Sequence, residues 1–294
     1  AEAIGNKYPH VSEKDRLYNA LGAMYYENGN YRQSRNYFNR ALEIIRKERP
    51  GDKESAIHFE GNIAASNYRL GLYEESLKQY EKLLQQRLYT SQISINMGKA
   101  YTLTGNYAAA LTCFRRVDPN ELPGVYNEIA NVYVLTNRLD SAAWYLDKFS
   151  KGYTAFTKGF SRLDAGINQI YRSDLLNKQQ QHSQAVETLQ KALIILSGNF
   201  NSGEIALNPR NFVGSFASFK LFDALHRKAR TLALLYEKEK NKQYLLYAYH
   251  AYEQTISLLR YIEKSYDTDD AKIFLNRNSE QVYDSAFVIA RQMV

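Results

Sequence analysis

The sequence is short of the residues that mark several common protein classes. It has one cysteine, Cys113, in 294 residues, so it can form neither an internal disulfide nor a zinc site built from several cysteines. It has five prolines and fifteen glycines, few enough to leave long helices uninterrupted. No apolar run approaches the length of a membrane span. Residues 1–10 lack the charged and then apolar pattern of a signal peptide. The expected compartment is therefore the reducing cytoplasm, with export after removal of an earlier signal as the alternative. The five histidines are scattered, with no HExxH and no two at ligand spacing on one helix. Neither a catalytic centre nor a metal or cofactor site is expected.

Hydrophobic residues make up 45% of the chain and charged residues 23%, the balance of an ordinary protein with a core to bury. Twenty-five tyrosines stand against a single tryptophan. A tyrosine packs its ring inward and keeps its hydroxyl wet, which suits shallow helix layers and binding grooves. The net charge is +7, but Lys and Arg alternate with Glu and Asp. There is no basic run and no nucleic-acid motif, so nucleic acid is not an expected partner.

One pattern recurs. Gly29-Asn30-Tyr31 is followed by Ser34, Phe38 and Ala41, and Gly71-Leu72-Tyr73 by Ser76, Tyr80 and Leu83. Gly105-Asn106-Tyr107 is followed by Ala110, Phe114 and Val117, and Asn137-Arg138-Leu139 by Ala142, Leu146 and Phe149. Upstream of each lies a block with a small residue: Leu21-Gly22, Ile63-Ala64, Met97-Gly98 and Ile129-Ala130. Tyr73 and Tyr107 are 34 positions apart. The pattern resembles the tetratricopeptide repeat (TPR), in which each unit is a pair of antiparallel helices that cannot bury its own apolar face and so must stack. The small residues let the two helices approach, and a left-handed turn residue ends the first of them.

This resemblance implies an all-α fold, a right-handed superhelix of five to six helical hairpins plus a C-terminal helix. The expected organisation is a lead-in over 1–14, four regular units over 15–156, an irregular fifth hairpin over 157–199, a long loop over 200–215, and a long hairpin plus terminal helix over 216–294. In the fifth hairpin Asp174, Gln181, Ala185, Leu189 and Ala192 fall on the key positions, so its first helix reads as polar. Gly98-Lys99 is part of a repeat rather than a phosphate loop, because Ala100 and not Ser or Thr follows the lysine. Asp267, Thr268, Asp269 and Asp270 read as a cap and first turn of a helix rather than as a metal site.

In TPR proteins the first helix of each unit lines a concave groove. The resemblance places Asn19, Tyr26, Asn62, Tyr68, Arg69, Asn96, Lys99, Asn127 and Asn131 there, with a protein or peptide as the partner. An asparagine amide both donates and accepts, so it can hold a peptide backbone without demanding a particular side chain. A TPR variant that grips a C-terminal carboxylate is matched only at Asn62.

Residues 209–293 are similar to the helical region that precedes a CHAT domain, a caspase-like cysteine peptidase. That resemblance implies a non-catalytic regulatory or sensor region with an attached CHAT domain as a second partner; no strand-rich region and no spare cysteine for such a peptidase occur in these 294 residues. The alternative is a free-standing adaptor or an exported helical binding protein.

Overall fold

The computed structural model describes residues 13–155, 161–213, 218–264 and 269–293. The lead-in up to residue 12, and Asp267 and Thr268, lie outside the described residues. The described residues form thirteen helices and no strand, the all-α fold expected from the sequence. The chain divides into two compact units, Ala1–Asp118 and Pro119–Val294.

Unit 1 is three helical hairpins: α1 (Lys14–Glu27) with α2 (Tyr31–Glu48), α3 (Lys53–Arg69) with α4 (Tyr73–Leu84), and α5 (Thr90–Leu103) with α6 (Tyr107–Phe114). Unit 2 has three more, α7 (Val125–Leu135) with α8 (Leu139–Ala155), α9 (Arg162–Lys178) with α10 (His182–Leu196), and α11 (Ser218–Glu239) with α12 (Lys242–Glu263). The final helix, α13 (Asp269–Gln292), packs on α12.

The hairpin turns follow from local chemistry. Each of the six has one residue in the left-handed region: Gly29, Gly71, Gly105, Asn137, Gln180 and Lys240. In the first five, the backbone N–H after that residue reaches back five positions, as in Asn30 N to Tyr25 O at 2.9 Å and Arg138 N to Tyr133 O at 2.8 Å. This closure satisfies a carbonyl that the helix end would otherwise leave open. Asn30 and Asn106 then serve a second purpose: their side chains accept the backbone N–H of Gln33 and Ala109, each at 3.2 Å, and so start the next helix.

Packing within a hairpin obeys one interval. Gly22 and Phe38, Ala64 and Tyr80, Gly98 and Phe114, and Ala130 and Leu146 are each sixteen positions apart, and in every pair the large side chain is almost wholly buried. The small partner is a necessity where its surroundings are measured. A Cβ on Gly98 would lie 2.3 Å from the Phe114 ring, and one on Gly22 would lie 2.6 Å from the Phe38 ring. By the same interval Leu189 points to Ser173, which is fully buried. The fifth hairpin thus has its small residue after all, one position before Asp174, and the polar reading of its first helix is corrected.

This packing gives a paired expectation. Gly98→Ala should destabilise the chain by about 1–3 kcal/mol, because the ring of Phe114 has nowhere to retreat. Gly61, in the middle of α3, has nothing within 4 Å of an added Cβ, so Gly61→Ala should stabilise by up to about 1 kcal/mol through helix propensity alone. Urea unfolding of the two variants checks both signs.

The connection between α10 and α11 is long and strapped down. Gln190 Nε2 donates to Ser202 O and Glu204 O at 2.8 Å and to Leu207 O at 3.2 Å. Lys228 Nζ donates to Gln190 Oε1 at 2.6 Å and to Leu207 O and Asn208 Oδ1 at 2.8 Å. Phe212 is buried in the unit 2 core.

Candidate functional site

The first helices of unit 1, α1, α3 and α5, hold seven of the nine groove residues expected from the sequence. Two rungs join α1 to α3. Asn62 Nδ2 donates to Asn19 Oδ1 at 3.3 Å, and Arg69 Nε donates to the Tyr26 hydroxyl at 3.2 Å. Both rungs join residues 43 positions apart, so they share one register, and they are seven residues apart along each helix. Seven residues are two turns, or about 10.5 Å.

The upper rung is wet on one side. Asn19 and Asn62 are half-buried. Asn62 Nδ2 also lies 3.2 Å from Nε2 of His58, but Asn19 Nδ2 and Asn62 Oδ1 have no partner among the described residues. One donor amide and one acceptor oxygen of this rung are thus left unused, the two functions that the backbone of an extended peptide can answer.

The lower rung is a cation among rings. The Arg69 guanidinium carbon lies 5.8, 5.7 and 5.5 Å from the ring centres of Tyr26, Tyr31 and Tyr68. The Tyr26 and Tyr31 rings meet edge to face at 5.3 Å. Tyr31 and Tyr68 are buried, and burial pushes the Tyr31 hydroxyl up to about 12 even with the Arg69 charge opposing it, so Tyr31 stays neutral across the physiological range. Tyr31 was not among the expected groove residues; its position in the turn pattern hid its role as a wall for Arg69.

Asn96 accepts from Gln92 Nε2 at 3.2 Å within α5, and Lys99 is half-buried on the same helix. The remaining two expected residues lie in unit 2. Asn131 is half-buried there. Asn127 is a correction: it is 0% exposed, its Nδ2 donates to Asp164 O at 2.9 Å, and its Oδ1 accepts from Asn168 at 2.7 Å. It holds α7 to α9 and has no surface to offer a peptide. The sequence carried a signal for this. Asn62 and Asn96 stand two positions before the small residue of their helix, whereas Asn127 stands three before Ala130. One position turns a helical side chain by 100°, here towards the next hairpin. Asn19 has that same register relative to Gly22, and it too points at the next hairpin, where it meets Asn62.

The remaining chemistry-bearing residues are structural. Cys113 is 5% exposed in the core of unit 1, and burial pushes its thiol up, away from the reactive thiolate. In unit 2, Arg227 pairs with Asp174 and Asp223, and His226 sits between the Phe222 and Tyr252 rings, where burial lowers its imidazole to about 4. Among the described residues no group of three or more His, Cys, Asp or Glu is placed to hold a metal, and no helix is long and apolar enough to cross a membrane.

No curated protein matches the chain. Solved structures that align with it include Bacillus thuringiensis PlcR, determined with the peptide PapR7 and DNA, at 14% identity over 95% of this chain and 78% of that one, with a TM-score of 0.46. Yeast Tom70 aligns at 12% identity over 96% and 68%, with a TM-score of 0.46. A tetratricopeptide repeat protein from Parabacteroides merdae aligns at 14% identity over 90% and 98%, with a TM-score of 0.41. These are distant likenesses and carry no functional argument. The sequence-family comparison is narrower: residues 13–87, which contain α1 to α4, match the tetratricopeptide repeat family.

Proposed function

We propose that this chain is a non-catalytic binding scaffold whose unit 1 takes an extended peptide segment on its α1 and α3 surface. The observation that carries the proposal is the Asn19–Asn62 rung. It joins successive hairpins, it is half-buried, and it leaves one donor and one acceptor unused. The N–H and C=O of one extended residue can answer both, whatever side chain it carries. Two turns along the seam Tyr26 is half-buried and supplies ordered apolar area at low entropic cost, whereas Tyr68, expected in the groove, is buried against Arg69 and serves only as a wall. Asn96 and Lys99 extend the candidate surface along α5.

The test is a selection of random ten-residue peptides on the whole protein. Selected peptides should lose about 1–3 kcal/mol of binding when Asn19 and Asn62 are both replaced by alanine. The melting temperature should stay within a few degrees, since neither side chain is in the core. Unchanged affinity in that double variant would refute the proposed surface.

The finer part of the proposal is a regulatory role for an attached CHAT-type peptidase in the cytoplasm. It rests on the resemblance of residues 209–293 alone. A strand-rich domain with catalytic His and Cys in the same gene would support it, and a secretory signal there would favour an exported binding protein.

A further inference from the structure

Arg69 differs from the other half-buried arginines of the chain. Arg172 meets Asp147 at 2.7 Å, Arg227 meets Asp174 and Asp223, and Arg35 meets the amide oxygen of Asn67 at 3.0 Å. Arg69 has the Tyr26 hydroxyl on Nε and three ring faces around it, but no carboxylate, amide oxygen or carbonyl on its terminal nitrogens among the described residues. A guanidinium offers five N–H donors in a flat fork and is always charged. Partial burial has taken water from this fork, and the neutral tyrosines return only ring-face attraction, so a ligand oxyanion would gain two charge-assisted hydrogen bonds in a partly dry setting.

We propose that Arg69 is an acid-reading position on the unit 1 surface, and that its ligand is an extended peptide segment with an internal Asp or Glu whose carboxylate sits on the Arg69 fork. The inference rests on the peptide-binding reading given above and adds the chemistry and spacing of the ligand. The spacing comes from the two rungs. The Asn19–Asn62 pair takes the N–H and C=O of one residue, and Arg69 lies about 10.5 Å further along the same seam. An extended chain covers about 3.3 Å per residue, so the acid belongs about three residues from the gripped residue.

The experiment uses the same selection of random ten-residue peptides on the full chain, with all peptides amidated at the C-terminus. The expected result is a set of winners that share one Asp or Glu. Changing that acid to its amide should weaken binding at least tenfold. Arg69→Gln should cause the same loss for the parent peptide and no further loss for the amide peptide, and Arg69→Lys should restore part of it. Affinity should fall as salt is raised. Circular dichroism and melting of both variants show whether the cradle still folds, and the Lys variant keeps the test decisive if Gln does not.

Winners that depend on Asn19 and Asn62 but bind equally well without an acid would overturn the Arg69 inference and leave the peptide surface standing. Winners indifferent to both asparagines would sink the surface itself. A requirement for a phosphoserine, or for a free C-terminal carboxylate in place of the internal acid, would also overturn the assignment.

Discussion

Replacing Lys228 by methionine should abolish a rise in stability that the unaltered protein shows as pH increases from about 7 to 9.5. Lys228 is 0% exposed and its ammonium is held by three oxygens, from Gln190, Leu207 and Asn208, with no carboxylate among them. Burial pushes it down to about 7, whereas in an unfolded chain a lysine titrates near 10.4. Between those values the unfolded chain binds the extra proton, so stability climbs as pH rises through the window. The roughly 2.5 units of that window at about 1.4 kcal/mol each set a ceiling near about 3.5 kcal/mol. The three oxygens favour the charged form and oppose part of this, so about 2 kcal/mol is the expected rise. The methionine variant should be flat over the same range. At pH 7 it should also be weaker by about 2 kcal/mol, because Gln190 Oε1 and Asn208 Oδ1 lose their donor. Urea unfolding at several pH values measures both, and an equal slope in the two proteins would refute the account.

Asn168→Leu should lower stability by about 3 kcal/mol, or roughly 6–12 °C in melting temperature. Asn168 is 1% exposed. Its Nδ2 donates to Asn127 Oδ1 at 2.7 Å and to Leu146 O at 3.2 Å, and its Oδ1 accepts from Ser150 Oγ at 3.1 Å. Leucine fills a similar volume but leaves the Asn127 oxygen in the dark without a donor. Asn127→Ala should be costly for the same reason, whereas the half-buried Asn62→Ala should be mild, below about 1 kcal/mol. Thermal melts of the three variants give the order, and a mild Asn127→Ala would show that the buried amide pair contributes little.

The asparagines show where the sequence was readable and where it was not. Hairpin turns are local events, and a left-handed glycine followed by a capping Asn announces itself, as at Gly29-Asn30 and Gly105-Asn106. The turn at Gln180 uses the same backbone conformation with neither residue, and the turn at Lys240 has the capping Asn241 but no glycine, so the fifth and sixth hairpins had to be placed by helix pattern. The small and large positions of the first four hairpins were equally visible, but in the fifth the sequence offered Asp174 where the small buried residue is its neighbour Ser173. What failed was the inference from residue type to exposure. Asn62 and Asn127 look alike in a list of first-helix amides; the one-position shift against the small residue turns a side chain towards the next hairpin but does not decide its burial, since Asn19 shares the shift of Asn127 and is half-buried. Arg69 was placed on the surface from the resemblance, but its lack of an acid partner is a property of three dimensions. Lys228 and Gln190 were not legible at all, because they bond each other and a connection that no pattern fixes.

The strap between α10 and α11 also has a history in time. A chain made from its N-terminus presents Gln190 first, then residues 198–213, and Lys228 last. Until α11 arrives, Asn208 and the Gln190 oxygen have no ammonium to receive, and the connection has only half of its fastening. Its closure therefore needs α11 in place, and a closed strap records that α10 and α11 have met, with α12 and α13 still to follow.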